Sequence, residues 1–516
     1  MLEKCRKVLY NYCCVSLIYL LSNKNDKVLF EHHICYAGQR YFMYERGGFM
    51  KIYIHNIGII EDSTLNLSGL TVIAGHNNSG KTTVGKILYS LVDSVSDLHK
   101  KFEYDRKRYV LDKIKELKNR LFILDMCFNG ASEAFEERYR SIFWLLRNEF
   151  NDNDFNGEGF LRDLLSELRS LNVEEFPYFN TKVFKLVKDK NSIEELKSSF
   201  GKIIDYGISS IDGYLESIEI GSDLNIYKKE IINQTLNVEF SNQIQTLKCR
   251  YEKSNIKLYD EDVNYFEVDL VEDKICNEMP YISVPYNRIY FIDDPFILDE
   301  LHTYTHKQNI NCDSVLSLER IKKHSEKLKF IIRDKGVINV FEQTILNQKL
   351  QPLQQEINDV VPGEFVFAND GEYYVQDNQK ISISNLATGA KIFSIIKLLL
   401  QKGLIDNDTV LILDEPEAHL HPEWQNKLAE IIVLIVKCIG ANILLTTHSS
   451  NFMLAVDAFM RKHNITDKVN FYQTKGGING LVKYECVNDD LGKIYGDYLK
   501  YLSEVKLLRD EFILDI

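Results

Sequence analysis

The run Gly75-His76-Asn77-Asn78-Ser79-Gly80-Lys81-Thr82 has a composition and spacing suited to phosphate chemistry. Glycines allow backbone N–H groups to close around phosphate oxygens, and a helix N-terminus just beyond adds partial positive charge. Lys81 is placed to reach the β- and γ-phosphates of ATP, and the Thr82 hydroxyl to ligate Mg²⁺. The flanks have the required character. Leu70–Ala74 is a short apolar run typical of a buried strand, and a helical pattern runs from Thr83 to about Leu91. The bland alternative is a Gly-rich turn of no consequence. The candidate nucleotide-binding residues are Gly75, Asn77, Asn78, Ser79, Gly80, Lys81, Thr82 and Thr83, with ATP and Mg²⁺ as the implied ligands.

A second constellation lies far downstream. Val410–Leu413 is apolar and ends in Asp414 and Glu415. Asp414 at a strand end suits Mg²⁺, together with Thr82. Glu415 suits the orientation and deprotonation of an attacking water. A lone Asp-Glu after apolar residues is weak; paired with an upstream phosphate loop it is strong. Asn442–Thr446 reads as another strand, and His448 beyond it is placed to sense a γ-phosphate. The competing reading is a histidine satisfied by backbone at a strand end.

These side chains need a scaffold, and the scaffold predicted is α/β: a phosphate-loop ATPase head built on a mixed, mainly parallel sheet, with a large helical insertion. Residues 50–91 supply the N-terminal part of the head, beginning with the alternating Lys51–Ile54. Residues 92–285 read as the helical insertion. Leu111, Ile114, Leu117 and Leu121 recur at helical spacing, as do Leu164, Leu165, Leu168 and Leu171. Asn151–Gly159 reads as a loop. Residues 286–455 return to the head through the strand Arg288–Ile292, with a helical section at about 296–350. Asp293 and Asp294 suit capping of the next helix better than a place near the γ-phosphate. Residues 456–516 add a hairpin at Val469–Tyr484 and a helix near Leu491–Leu507. A further hairpin is signalled by Asn369-Asp370-Gly371. Residues 1–49 are expected to be a mis-assigned start, with Met50 as the real one, or a disordered extension. The Arg46-Gly47-Gly48 that precedes Met50 is what a ribosome-binding site encodes when read through.

Gly75–Thr82, Leu386-Ala387-Thr388-Gly389-Ala390-Lys391, Asp414–Pro422 and Thr447-His448 together resemble the ABC-type ATPases of the SMC and RecF superfamily. Glu417-Ala418-His419-Leu420-His421-Pro422 is similar to the branch with OLD-family and Septu PtuA-like ATPases. The resemblance implies a head that dimerises on ATP, as a homodimer or higher oligomer. Thr388 and Gly389 would then meet the nucleotide of the opposite subunit. The family often has Leu-Ser-Gly-Gly there; Ala387 lacks the hydroxyl, and Thr388 is its candidate substitute. His419 and His421 would shape the loop at the dimer contact. The resemblance further implies an antiphage role, with ATP turnover controlling an effector encoded nearby, such as a nuclease. OLD-family proteins carry a TOPRIM nuclease domain for which this chain has no room. The alternative is a DNA-repair or chromosome-maintenance ATPase.

The net charge of −13 argues against a chain coated for nucleic acid. It leaves room for a local contact with DNA or RNA. The best candidate is the basic stretch Arg320, Lys322, Lys323, Lys327, Lys329, Arg333 and Lys335, and Arg106-Lys107-Arg108 is a weaker one. A solvated helix face explains either equally well. Ten cysteines without a Cys-x-x-Cys pair suit a reducing cytoplasm. Val8–Leu21 is too short for a confident membrane span, and no membrane partner is expected.

Overall fold

The computed structural model describes residues 50–516 apart from 129–132, 148–155, 173–189, 248–251, 305–321, 334–349, 497–502, 508–516 and a few isolated positions. Residues 1–49, and the expectations placed on them, lie outside the described residues. The strands are β1 (Lys51–Ile57), β2 (Ile60–Asn66), β3 (Leu70–Ala74), β4 (Ser254–Tyr259), β5 (Asn264–Val271), β6 (Lys274–Ile275), β7 (Arg288–Ile292), β8 (Glu364–Ala368), β9 (Gly371–Gln376), β10 (Gln379–Ser382), β11 (Thr409–Asp414), β12 (Asn442–Thr447), β13 (Val469–Gly476) and β14 (Val482–Cys486). Eleven of them form one mixed sheet in the order β6-β5-β4-β1-β2-β14-β13-β3-β12-β11-β7, and β10-β9-β8 form a small second sheet.

The half of the large sheet that carries the candidate chemistry is parallel. β3 lies between β12 and β13 and runs parallel to both, and β11 lies between β12 and β7 in the same sense. Strands of this kind are covered on both faces, which explains why Val410–Leu413 is apolar without alternation. Leu411 and Leu413 join one core with Leu70, Val72 and Ile443. Val410 and Ile412 point the other way, into a second core with Ile73, Phe291 and Leu444. Register brings the strand ends level: Ala74 is opposite Thr447, Asp414 opposite Thr446, and Leu413 opposite Ile292. The residues that follow these four strands must therefore meet at one edge.

The helices are α1 (Lys81–Val95), α2 (Leu98–Phe128), α3 (Glu133–Arg138), α4 (Arg140–Arg147), α5 (Gly157–Ser170), α6 (Lys190–Ile220), α7 (Leu224–Phe240), α8 (His324–Arg333), α9 (Gln351–Val360), α10 (Thr388–Gln401), α11 (Pro422–Ile439) and α12 (Ser450–Lys462). The insertion has a core of its own. Ile114, Leu117, Leu121, Leu161, Leu164 and Leu168 are buried in it with Ile142 and Ile211, so the helical spacing of the leucines did mark a packed face.

Two sequence expectations are corrected. The helical part of 92–285 ends at Phe240, and β4 to β6 then extend the main sheet beside β1. The reason is a period of two: Ser254, Ile256 and Leu258 are buried while Asn255, Lys257 and Tyr259 are less so. Gly157-Glu158-Gly159 is not loop but the first turn of α5, because Asn156 accepts a hydrogen bond from the Gly159 N–H at 3.0 Å and starts the helix. Residues 151–155 of that expected loop lie outside the described residues. In the section expected to be helical at about 296–350, the described residues include the 3₁₀ segment Pro295–Tyr304 and α8. The hairpin at Val469–Tyr484 is present as β13 and β14, which fill the sheet between β3 and β2. β8 and β9 pair on either side of residues 369–370. Much of the helix expected near Leu491–Leu507 falls outside the described residues. No helix among the described residues is long and apolar enough to cross a membrane.

Candidate functional site

At the level ends of β3, β12, β11 and β7 lies a cavity of about 490 Å³. Asn77–Thr83, Asp293–Pro295, Asp414–Pro416 and Ala418–Leu420 line it, with Ile59, Thr388 and Ile392.

The phosphate loop turns into α1 at Gly80, whose φ of 75° is costly for any residue with a Cβ. No side chain caps α1, and although the Thr83 N–H turns back to the Gly80 carbonyl at 3.0 Å, a helix N-terminus without a side-chain cap suits an anion site. The Ser79 hydroxyl is buried without a hydrogen-bond partner among the described residues. Lys81 is 4% exposed. Its Nζ donates to the carbonyls of Gly75 at 3.0 Å and His76 at 2.9 Å and lies 3.1 Å from Glu415 Oε1. A helix N-terminus without a side-chain cap, an orphan hydroxyl and a buried ammonium on one wall fit a triphosphate. The loop is braced by the C-terminal hairpin: Tyr484 donates to the Ser79 carbonyl at 3.0 Å. A Cβ on Gly75 would sit 2.2 Å from Thr474 Oγ1 and 2.6 Å from its Cγ2. Gly75→Ala is therefore expected to displace the loop and weaken ATP binding about ten-fold, roughly 1.4 kcal/mol. Adding Thr474→Ala should recover most of that loss in a fluorescent-ATP titration.

The metal side is equally defined. Thr82 Oγ1 donates to Asp414 Oδ2 at 2.6 Å, and the Thr446 hydroxyl donates to Asp414 Oδ1. Burial pushes the Asp414 carboxyl above its ordinary value, against the pull of these hydroxyls. A half-buried carboxylate beside a threonine hydroxyl is a hard oxygen set that fits Mg²⁺; when bound, the ion would offset that burial and neutralise phosphate charge.

Glu415 has a φ of 49°. The left-handed region costs a non-glycine residue about 1–2 kcal/mol and marks a position held for a purpose. Its N–H is fixed by the Thr446 carbonyl and hydroxyl, each at 3.1 Å. That turn aims the side chain between Lys81 and His448. Oε1 meets Lys81, and Oε2 meets His448 Nδ1 at 3.0 Å. Below it the buried Glu417 accepts from Thr447 at 2.5 Å, and burial raises its carboxyl.

The structure thus brings Gly75–Thr83, Asp414, Glu415 and His448 together. Thr388 lines the same cavity of its own chain, at the N-terminus of α10. Gly389 is set for close packing: an added Cβ would lie 3.0 Å from the Trp424 ring. His419 packs edge-on against Phe296 with centroids 5.6 Å apart, and His421 Nδ1 accepts from the Glu423 N–H as N-cap of α11. Pro422 then takes the first helical position.

Asp294 is the capping residue of its pair, accepting from the Phe296 N–H at 2.8 Å. Asp293 does something else. Its Oδ2 is 2.9 Å from His324 Nε2, and the other ring nitrogen is 2.7 Å from Glu239 Oε2. Sequence reasoning missed His324 and Glu239, which are separated by the insertion boundary and match no motif. Burial opposes a charge on His324, but its two carboxylates prevail and lift it to about 9. Since the folded value lies above the ordinary 6.5, the bridge stabilises fully below pH 6.5 and is lost as pH rises through about 9. The difference amounts to about 3 kcal/mol. The stability gap between wild type and His324→Gln, read from urea midpoints, should therefore be largest at acid-to-neutral pH and shrink towards pH 9.5.

Three residues of the basic stretch form ion pairs inside the chain. Lys327 pairs with Asp93 of α1 at 2.5 Å, Lys329 with Glu300, and Arg333 with the buried Glu372 at 3.1 Å. Arg320 and Lys335 lie outside the described residues. Arg106 is likewise paired, with Glu158 at 2.8 Å.

A phosphate loop at one parallel strand end, with carboxylates delivered beside it by a second, defines the class: a phosphate-loop nucleoside triphosphatase. Residues 50–453 match the family model described as AAA ATPase domain, and the chain belongs to that family. No curated protein matches it. Among solved structures it is similar to the SMC head domain from Thermotoga maritima, at 9% identity and a TM-score of 0.29 over 85% of this chain and 99% of that one. The Smc head domain with a coiled coil and joint from Pyrococcus yayanosii gives 13% identity and a TM-score of 0.32 over 89% and 99%.

Proposed function

We propose that this chain binds Mg²⁺–ATP in the cavity and hydrolyses it, with Glu415 as general base. The observation that carries this is the setting of Glu415, held in a strained turn between Lys81 and His448. Lys81 and the open N-terminus of α1 bind the phosphates. Thr82 and Asp414 hold the metal. Glu415 takes the proton of the attacking water, and His448 fixes the carboxylate and contacts the γ-phosphate. Release of phosphate under single-turnover conditions tests this; a rate that Glu415→Gln leaves unchanged would sink it.

Within that reading, the motifs Leu386–Lys391 and Asp414–Pro422 favour an ABC-type head of the SMC and RecF kind, near the OLD and Septu PtuA-like branch. ATP then joins two copies, with Thr388 and Gly389 completing the nucleotide site of the opposite one. Turnover licenses an effector, such as a nuclease encoded nearby, in cytoplasmic antiphage defence. The alternative is DNA repair or chromosome maintenance. Co-purification of Glu415→Gln with ATP, expressed from its own gene neighbourhood, separates them. A bound toxic enzyme supports defence; repair or replication factors support maintenance.

A further inference from the structure

We infer that His324 is a positioning residue for Asp293 and ties the helical insertion to the hydrolytic step; this rests on the ATPase reading above. Asp293 follows β7 directly, and register sets β7 level with β11, which ends in Asp414. Asp293 lines the cavity on its metal side and is one-third exposed to it. A carboxylate there can accept a hydrogen bond from water beside the terminal phosphate. Among the described residues its carboxylate pairs with His324 Nε2 at 2.9 Å.

The ring of His324 is fixed from every side. It stacks on Phe291 of β7 at 4.3 Å between centroids and meets Tyr89 of α1 edge-on at 5.7 Å. Nδ1 is held by Glu239 Oε2 at 2.7 Å, and Glu239 Oε1 accepts from the His324 backbone N–H at 2.8 Å. Glu239 is in the last turn of α7, the helix that closes the insertion. The same glutamate thus starts α8 and sets the ring. The Lys327–Asp93 pair binds α8 to α1, the helix of the phosphate loop. A movement of α7 therefore reaches Asp293 through one hydrogen bond and one ion pair, across a ring packed against Phe291 and Tyr89. Sheet, phosphate-loop helix and insertion share this one side chain.

The test uses the full chain and the variants His324→Gln, Asp293→Asn, Glu239→Gln and the His324→Gln/Asp293→Asn double. Steady-state turnover, mant-ATP affinity and thermal midpoint are read for each. His324→Gln and Asp293→Asn should each lower kcat about ten-fold while mant-ATP Kd stays within about two-fold. The double variant should be no slower than Asp293→Asn alone, because His324 acts through that carboxylate. A side chain that only supports the fold would instead give multiplicative losses and move Kd with the thermal midpoint. Multiplicative losses, or a folded His324→Gln with kcat within about two-fold of wild type, overturn the proposal. Should His324→Gln not fold, Glu239→Gln decides, since it leaves His324 and Asp293 in place, keeps one side-chain oxygen for the His324 N–H that starts α8, and removes the carboxylate that holds Nδ1. Its kcat should fall about three-fold or more at unchanged Kd, and an unchanged kcat overturns the proposal. Turnover that Lys81→Ala does not abolish would instead sink the ATPase reading, and this inference with it.

Discussion

Glu415→Gln is expected to bind Mg²⁺–ATP as wild type does and to lose about two to three orders of magnitude in turnover. Glutamine keeps the shape and can still accept from Lys81, so the phosphate-binding wall is undisturbed. Its amide can also meet His448. What it cannot do is take a proton. The left-handed backbone at this position, with a φ of 49°, costs glutamine about as much as glutamate, so the turn should survive. Phosphate release measured beside mant-ATP binding checks both halves of the expectation. If two heads close on ATP, size-exclusion chromatography with ATP should also show this variant as a persistent dimer. Loss of binding together with turnover would mean that Glu415 is structural.

Lys81→Ala is expected to act on the other half of the site. Nearly buried, the ammonium serves two carbonyls and Glu415 at once. Charge-assisted contacts to phosphate are among the strongest single interactions in such a cavity. Removing them should weaken ATP binding about a hundred-fold, close to 3 kcal/mol, and abolish turnover at ordinary ATP concentrations. The loss also takes from Glu415 its Lys81 ion pair, so a small drop in thermal midpoint should accompany it. Isothermal titration with ATP checks the affinity. An unchanged Kd would remove the phosphate loop from the nucleotide site. The two variants are complementary: one separates binding from chemistry, the other removes both.

The local chemistry was readable because it is written in short contiguous runs. Gly75–Thr82 carries its own strand and helix, and Val410–Glu415 carries its strand and its carboxylates. Backbone geometry over so few residues follows from residue type and needs no distant partner. The leucine spacings in the insertion were legible for the same reason. β4 to β6 were not, because an apolar alternation becomes a strand only when an edge such as β1 is there to receive it. The partners of the basic stretch were likewise beyond the reach of local pattern. The charge pattern looks solvated until α8 is laid against Asp93, Glu300 and Glu372.

By itself, then, the sequence determined that this protein has a phosphate loop, a carboxylate pair and a helical insertion with its own packed face. Only the tertiary structure decided that four parallel strands end level, so that residues from 75 to 448 share one cavity. It alone set Glu415 between Lys81 and His448, and gave Asp293 and Glu239 a common partner in His324. The physical reason is range. Helix starts, turns and strand character are fixed by neighbours within a few residues. Register and ion pairing depend on side chains hundreds of positions apart, which meet only after both faces of the sheet are buried.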